Sequence, residues 1–320
     1  MYAFVQAIVR KRGSMPGIGF DWDDLRYFLA VAQTGQLSSA ARRLRSNHVT
    51  VSRRIDRLEQ SLSLRLFERS PRGYTLTGVG ERLVAHAQAM EQTADGLHEI
   101  ISGEAAALRG VIRLSTPEGF GSFFLSSRLP DFASRNPGLL IEFMTLQQIL
   151  SLSRREADIS VALHPPAAGP YQVEKIARYR LLVYASRSYL ERHPPVRSRA
   201  EAMEHPLAGY IDDMIFAPGL DYLRDILPGK RAGYQSSSII AQLAAGLAGY
   251  GMTILPYFIA CAYPQLVPVL PQELHIEREY WLSCREDLAD APRIRVVRDF
   301  IRSEAAAFED MFMARPILQD

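Results

Sequence analysis

The stretch SNHVTVSRRIDRLE, residues 46–59, constrains this chain more than any other. At about 100° per residue, Thr50, Arg53, Arg54 and Arg57 fall within one arc of a helical wheel. Val51, Ile55, Leu58 and Leu62 form a second arc, so the pattern predicts a helix that is half buried and half cationic. Asn47 sits where an N-cap belongs, and no acid at i+4 neutralises Arg53 or Arg54. Such a helix needs a small core on one side and a polyanion on the other.

The neighbouring segments supply that core. DWDDLRYFLAVAQTG places Trp22, Leu25, Phe28, Leu29 and Ala32 at helical spacing, with acids in its first turn and Gly35 as its stop. QLSSAARRLRS is a shorter helix whose Leu37, Ala40, Ala41 and Leu44 let a second helix cross it closely. LRLFERSPRGYTLT reads as a β-hairpin: Leu64, Leu66 and Phe67 bury, Pro71-Arg72-Gly73 turns, and Tyr74 and Leu76 return. Three helices and this wing predict a winged helix-turn-helix, with the arginine helix in the major groove of double-stranded DNA. His48, Thr50 and Arg53 project from its first turns toward base edges, where Arg can bridge guanine O6 and N7. Arg54, Arg57 and the wing's Arg72 suit phosphates or the minor groove. For Arg42, Arg43 and Arg69, DNA contact and a solvated or structural role stay equally open.

Charge supports a local polyanion surface. Nine arginines and three acids lie between Arg42 and Arg72, whereas the whole chain of 320 residues carries only +2. With 48% hydrophobic residues, two or three domains can have proper cores. No apolar run reaches the roughly 18–20 residues of a membrane span, so no membrane partner is expected. The apolar start precedes its basic cluster, the reverse of a secretory signal peptide. Residues 1–20 are expected to be a disordered extension, and Met15 offers an alternative start. Cys261 and Cys284 form no CxxC pair, and each is expected to be a buried free thiol in a reducing cytoplasm. HExxH, GxSxG, P-loop and GxGxxG patterns are all missing, which argues against an enzyme, a metal or a cofactor.

From residue 77 to 108 there is no proline, and Leu83, Ala87, Met90, Ala94, Leu97, Ile101 and Leu108 recur as a coiled-coil seam would. The alternative is a helix packed on its own chain's core; the wet remaining faces favour pairing. Beyond Arg109-Gly110, strand and helix alternate. VIRLST, LLIEFMT and DISVAL read as strands, GFGSFFLSSRLPDFASRN as one helix, and QVEKIARYRLLVYAS as two strands around Arg178-Tyr179. SSIIAQLAAGLAGYGMTILP is a helix, a turn and a buried strand; EREYWLSC and APRIRVVRDFIRSEAAAFEDMF close the chain. This progression predicts an α/β region with a parallel sheet.

FLAVAQTGQLSSAARRL, HVTVSRRIDRLEQSLSLRLFER and RGYTLTGVGERL together resemble the N-terminal domain of the LysR-type transcriptional regulators, without a gap from Trp22 to Leu83. The family's S-Q-P-A-V-S entry to the recognition helix reads N-H-V-T-V-S here, Asn47 to Ser52. His48 and Val49 replace Gln and Pro, which bears on the operator half-site. FASRNPGLLIEFM, READISVAL and AAGLAGYGMTILP resemble landmarks of LysR effector domains, which are built like type 2 periplasmic solute-binding proteins. The resemblance implies a multidomain chain. It has a winged helix-turn-helix at 21–80 (helix-turn-helix about 37–56) and a dimerising linker helix at 77–108. Effector lobe 1 is 110–184 plus 277–313, and lobe 2 is 185–276. It also implies a homodimer or homotetramer and a small-molecule effector between the lobes. The carried-over cleft positions are Ser115, Thr116, Thr145, Leu163, His164, Tyr210, Ser236, Ser237 and Ser238. Hydroxyls and N–H groups at helix starts favour a small anion, although Ser and Thr are also ordinary caps and turn formers. Three functions stay open: an effector-controlled DNA-binding regulator, a constitutive one, and a solute-binding protein, which would need neither winged helix nor coiled coil.

Overall fold

The computed structural model describes residues 20–71, 73–84, 86–88, 90, 108–146, 157–215 and 217–315. The chain divides into two compact units, Met1–Ile101 and Ser102–Asp320.

In the first unit, α1 (Trp22–Thr34), α2 (Leu37–Arg43) and α3 (His48–Leu62) precede a hairpin of β1 (Phe67–Ser70) and β2 (Gly73–Leu76). Asp21 caps α1 through the N–H of Asp23, and Gly35 ends it at φ +67°, a left-handed conformation that glycine adopts without penalty. Asn47 caps α3 by accepting from the N–H of Thr50 at 2.7 Å. The buried arc of α3 is as periodicity predicts: Val51, Ile55 and Leu58 are fully buried with Phe28, Val31 and Ala40. The hairpin docks on the end of α1, where the N–H of Tyr74 donates to the carbonyl of Gly35 at 2.8 Å.

Residues 78–84 and 86–88 are helical. Ala87 is wholly buried, and Leu83, Val84 and Met90 pack against the same N-terminal core. Leu83, Ala87 and Met90, the first positions of the expected coiled-coil seam, thus pack on their own domain, Leu83 and Met90 only in part. Ala94, Leu97 and Ile101 lie outside the described residues, as do Arg72 and the 1–19 extension.

The second unit is one mixed sheet with helices around it. In chain order it contains β3 (Gly110–Pro117), a π-helical turn (Phe120–Leu125), α4 (Leu129–Arg135), β4 (Leu139–Leu146), β5 (Ile159–Ala162) and β6 (Tyr171–Ser186). Then come β7 (Leu207–Gly209), β8 (Tyr234–Gln235), α5 (Ile239–Leu247), β9 (Met252–Pro256), β10 (Leu266–Pro268), β11 (His275–Arg285), α6 (Pro292–Ala307) and α7 (Glu309–Met313). Sheet order is β4-β3-β5-β11-β6-β9-β7-β8, with β10 on β6.

Three expectations are corrected here. The segment 119–136 is two helical pieces, because Pro130 lacks an N–H and belongs in the first turn of a new helix. The sheet is parallel only at β4-β3-β5 and β9-β7-β8; β11 runs antiparallel to both β5 and β6. Residues 171–186 form one strand rather than two. Arg178 and Tyr179, where two strands were expected to meet, lie inside it, and Arg178 and Arg180 pair with Glu277 on the neighbouring strand, Arg180 at 2.8 Å.

That long strand sets the two-lobed plan. β11 pairs with β5 from Trp281 to Cys284, and β6 pairs with β9 from Leu181 to Ala185. Between these stretches the sheet narrows to a two-stranded ribbon around Arg178–Arg180 and Glu277–Glu279. The chain thus changes lobe about five residues before Ala185. Cys284 is buried as expected, but Cys261, just after the short helix Tyr257–Ala260, is exposed.

Candidate DNA-binding face and ligand cleft

The cationic arc of α3 is not uniformly free. Asp24, fully buried on α1, receives Arg57 through Nε and Nη2 at 2.5 Å each and Arg54 Nη1 at 2.9 Å. Asp21 adds Arg57 Nη2 at 2.7 Å, and the Arg54 guanidinium lies 5.2 Å from the Tyr27 ring centre. Hydrogen bonding to Asp24 is the main cause that raises the Arg57 pKa. The absence of a neutralising acid at i+4 was correct for the helix alone. The acids come from a different helix, about thirty residues upstream. Arg54 and Arg57 are thereby held in fixed geometry with part of their surface outward, rather than standing as mobile charges.

Arg53 differs. It is exposed and makes no hydrogen bond or ion pair with another described residue. His48 and Val49 are exposed beside it, Val49 at 64%, and Thr50 is half-buried. Asn47 spends its Oδ1 on the cap. Arg69 turns inward to Asp56 at 2.6 Å and Glu59 at 2.8 Å, the structural role of the two left open. Glu59 also accepts from the N–H groups of Leu66 and Phe67, which ties the hairpin to α3.

In the second unit a cavity of about 70 Å³ opens beside the two-stranded ribbon. Of the carried-over positions, Ser115, Thr116, Leu163, Tyr210 and Ser237 line it. Thr145, His164, Ser236 and Ser238 are not on its wall. Thr145 sits on β4 directly opposite Thr116 of β3 and packs on Gly121, whose added Cβ would lie 2.4 Å from Thr145 Cγ2. Ser236 accepts from the N–H of Ser238, and Ser238 caps α5 through the N–H of Ala241 at 3.2 Å. Sequence reasoning missed Glu118, Ser160, Tyr179, Tyr222 and Tyr280, all of which line the cavity. Only the register of β6 against β11 brings Tyr179 and Tyr280 there, their rings stacked at 4.2 Å. Among the described residues no group of three or more His, Cys, Asp or Glu is placed to hold a metal ion. No described helix is long and apolar enough to cross a membrane.

Two family descriptions match the chain: "Bacterial regulatory helix-turn-helix protein, lysR family" over residues 22–81 and "LysR substrate binding domain" over residues 105–306. The chain belongs to the LysR family. As a LysR-type transcriptional regulator it has curated relatives of similar length. The "Mau operon transcriptional activator" of Paracoccus denitrificans is 25% identical over 88% of this chain and 95% of its own. The "HTH-type transcriptional regulator DgdR" of Burkholderia cepacia is 28% identical over 77% and 81%. Among solved structures, full-length OxyR from Pseudomonas aeruginosa overlays with a TM-score of 0.70 at 19% identity, over 89% of this chain and 97% of that one. CrgA from Neisseria meningitidis overlays at 0.57 with 23% identity, over 89% and 99%. At these identities the overlays establish the shared fold. In this LysR regulator the winged helix and the cleft thus occupy the two parts named by the family descriptions.

Proposed function

We propose that this LysR regulator binds a specific double-stranded operator through α3 and the hairpin, and that a small molecule between its lobes controls the outcome. The observation that carries the DNA half is Arg53, exposed and unengaged by other described residues, on the same helix face as Arg54 and Arg57 fixed by Asp21 and Asp24. One free guanidinium suits a base edge and two anchored ones suit phosphates. Asn47, His48, Val49 and Thr50 form the entry to that face, and Arg72 supplies the wing contact. The protein acts where its DNA is, in the cytoplasm, as a homodimer or homotetramer whose paired heads meet a two-fold symmetric site.

The cleft supports control by a ligand over the constitutive reading. Thr116 lines it at 2% exposure with a hydroxyl that has no hydrogen-bond partner among the described residues, and four tyrosines, packed in two pairs, form much of the wall. Selection of operator fragments from genomic DNA by the purified protein, followed by footprinting, tests the proposal. A bound site with two related half-sites is the expected result. Indifference to sequence, with affinity set only by salt, would refute it.

A further inference from the structure

The cleft contains one carboxylate and no basic side chain among its described lining residues. Glu118, just past β3, reaches across to α5. Its Oε2 accepts from the N–H of Ile239 at 2.9 Å, and its Oε1 accepts from the Ser238 hydroxyl at 3.0 Å. The positive end of α5, where the sequence placed a small anionic ligand, is thus already met by an anion of the protein itself. A second anion in the cleft would face Glu118 at short range with no described lining cation to offset it. Arg278, whose charge acts on the lining residue Tyr179, is ion-paired to Asp225.

The remaining wall is largely aromatic. Tyr179 and Tyr280 lie face to face with 12° between their planes, and Tyr210 meets Tyr222 edge-on at 5.6 Å. Burial raises the pKa of all four above the ordinary phenol value, so they stay neutral and keep electron-rich ring faces. Tyr179 and Tyr280 turn one face to each other, yet the wall as a whole stays neutral and aromatic, and such a wall beside a carboxylate suits a small ammonium ion. A carboxylate has about four acceptor sites, and Glu118 spends two on α5, so it can accept from a ligand N–H as well.

We propose that the cleft takes a small organic cation of the alkylammonium class, with Glu118 as its counter-ion and the neutral aromatic lining that includes Tyr179, Tyr210, Tyr222 and Tyr280 as its wall. This rests on reading the cleft as the effector site. The test is calorimetric titration of the full chain, at matched ionic strength, with ethylammonium, tetramethylammonium, propionate, pivalate and tert-butanol. The cations should bind and the carboxylates of similar size should not. Glu118→Gln, which keeps an acceptor for α5, should weaken tetramethylammonium by roughly tenfold or more and leave propionate unchanged or improved. A purely structural Glu118 would instead change both series alike, and that result overturns the proposal. Carboxylates binding ahead of the cations would overturn the ligand class while leaving the cleft as effector site. No binding by any of the five compounds would overturn both.

Discussion

Asp24 is the residue that fixes Arg54 and Arg57 on the proposed DNA-binding face. A fully buried carboxylate is tolerated only when paired, and here two arginines from another helix do the pairing. Asp24→Asn keeps the shape and removes the charge. It should lower the stability of the N-terminal unit by about 1–3 kcal/mol, read by urea unfolding, and weaken specific and random DNA alike by releasing Arg54 and Arg57. Arg53→Ala should behave in the opposite sense. We expect little loss of stability, about 1–3 kcal/mol lost on the cognate operator, and relaxed preference at one base pair. Equal losses on cognate and random DNA in a competitive gel shift would remove Arg53 from base reading.

At the level of elements, two junctions decide what the chain can do. The first is the contact of β3, β4 and the π-helical turn at Gly121. A Cβ there would lie 2.3 Å from Thr116 Oγ1 and 2.4 Å from Thr145 Cγ2. Gly121→Ala should therefore cost about 1–3 kcal/mol by overpacking, seen as a lower Tm of the effector unit, and it should disturb the cleft through Thr116. An unchanged Tm would mean that the turn yields without cost. The second junction is the helix that follows the hairpin. Its first turns are spent on the core of their own domain, through Ala87 with Leu83 and Met90. Leu83 and Met90 keep part of their surface outside that core, and the later seam positions Ala94, Leu97 and Ile101 lie outside the described residues.

For the molecule as a whole we expect a dimer at least. Light scattering at micromolar concentration checks this, and a monomer there would end the paired-head account. The two-stranded ribbon of β6 and β11 is the only described continuity of the sheet between the lobes, so a ligand touching both lobes favours one angle between them. Half-sites in phase on DNA lie about 34–36 Å apart or a multiple of it. Bending a duplex costs on the order of 1–6 kcal/mol, similar to a coupling of about 1–3 kcal/mol. Effector should therefore change footprint length or bend angle more than total affinity. Footprinting and bending gels with and without ligand would show it; a large affinity change over an unaltered footprint and bend would count against this mechanism.

The local code for the N-terminal unit was complete in the amino-acid sequence. The caps at Asp21, Gly35 and Asn47, the period of Val51, Ile55 and Leu58, and the tight turn before Gly73 each act within a few residues, so periodicity and turn chemistry suffice to read them. The cation-rich face was equally legible. In the second unit the alternation of strand and helix was legible, but not the break at Pro130, the unbroken strand 171–186 or the short strands at 207–209, 234–235 and 266–268. Other features depend on pairs far apart in the chain, and only the tertiary structure decided them. Asp24 meets Arg57 across 33 residues, and Glu118 meets Ile239 across 121. Tyr179 stacks on Tyr280 because two distant strands share one register. A side chain's charge is visible in sequence, but its partner is set by packing. The arginine arc could therefore be read from α3 alone, whereas the carboxylate that fills the helix end beside the cleft could not.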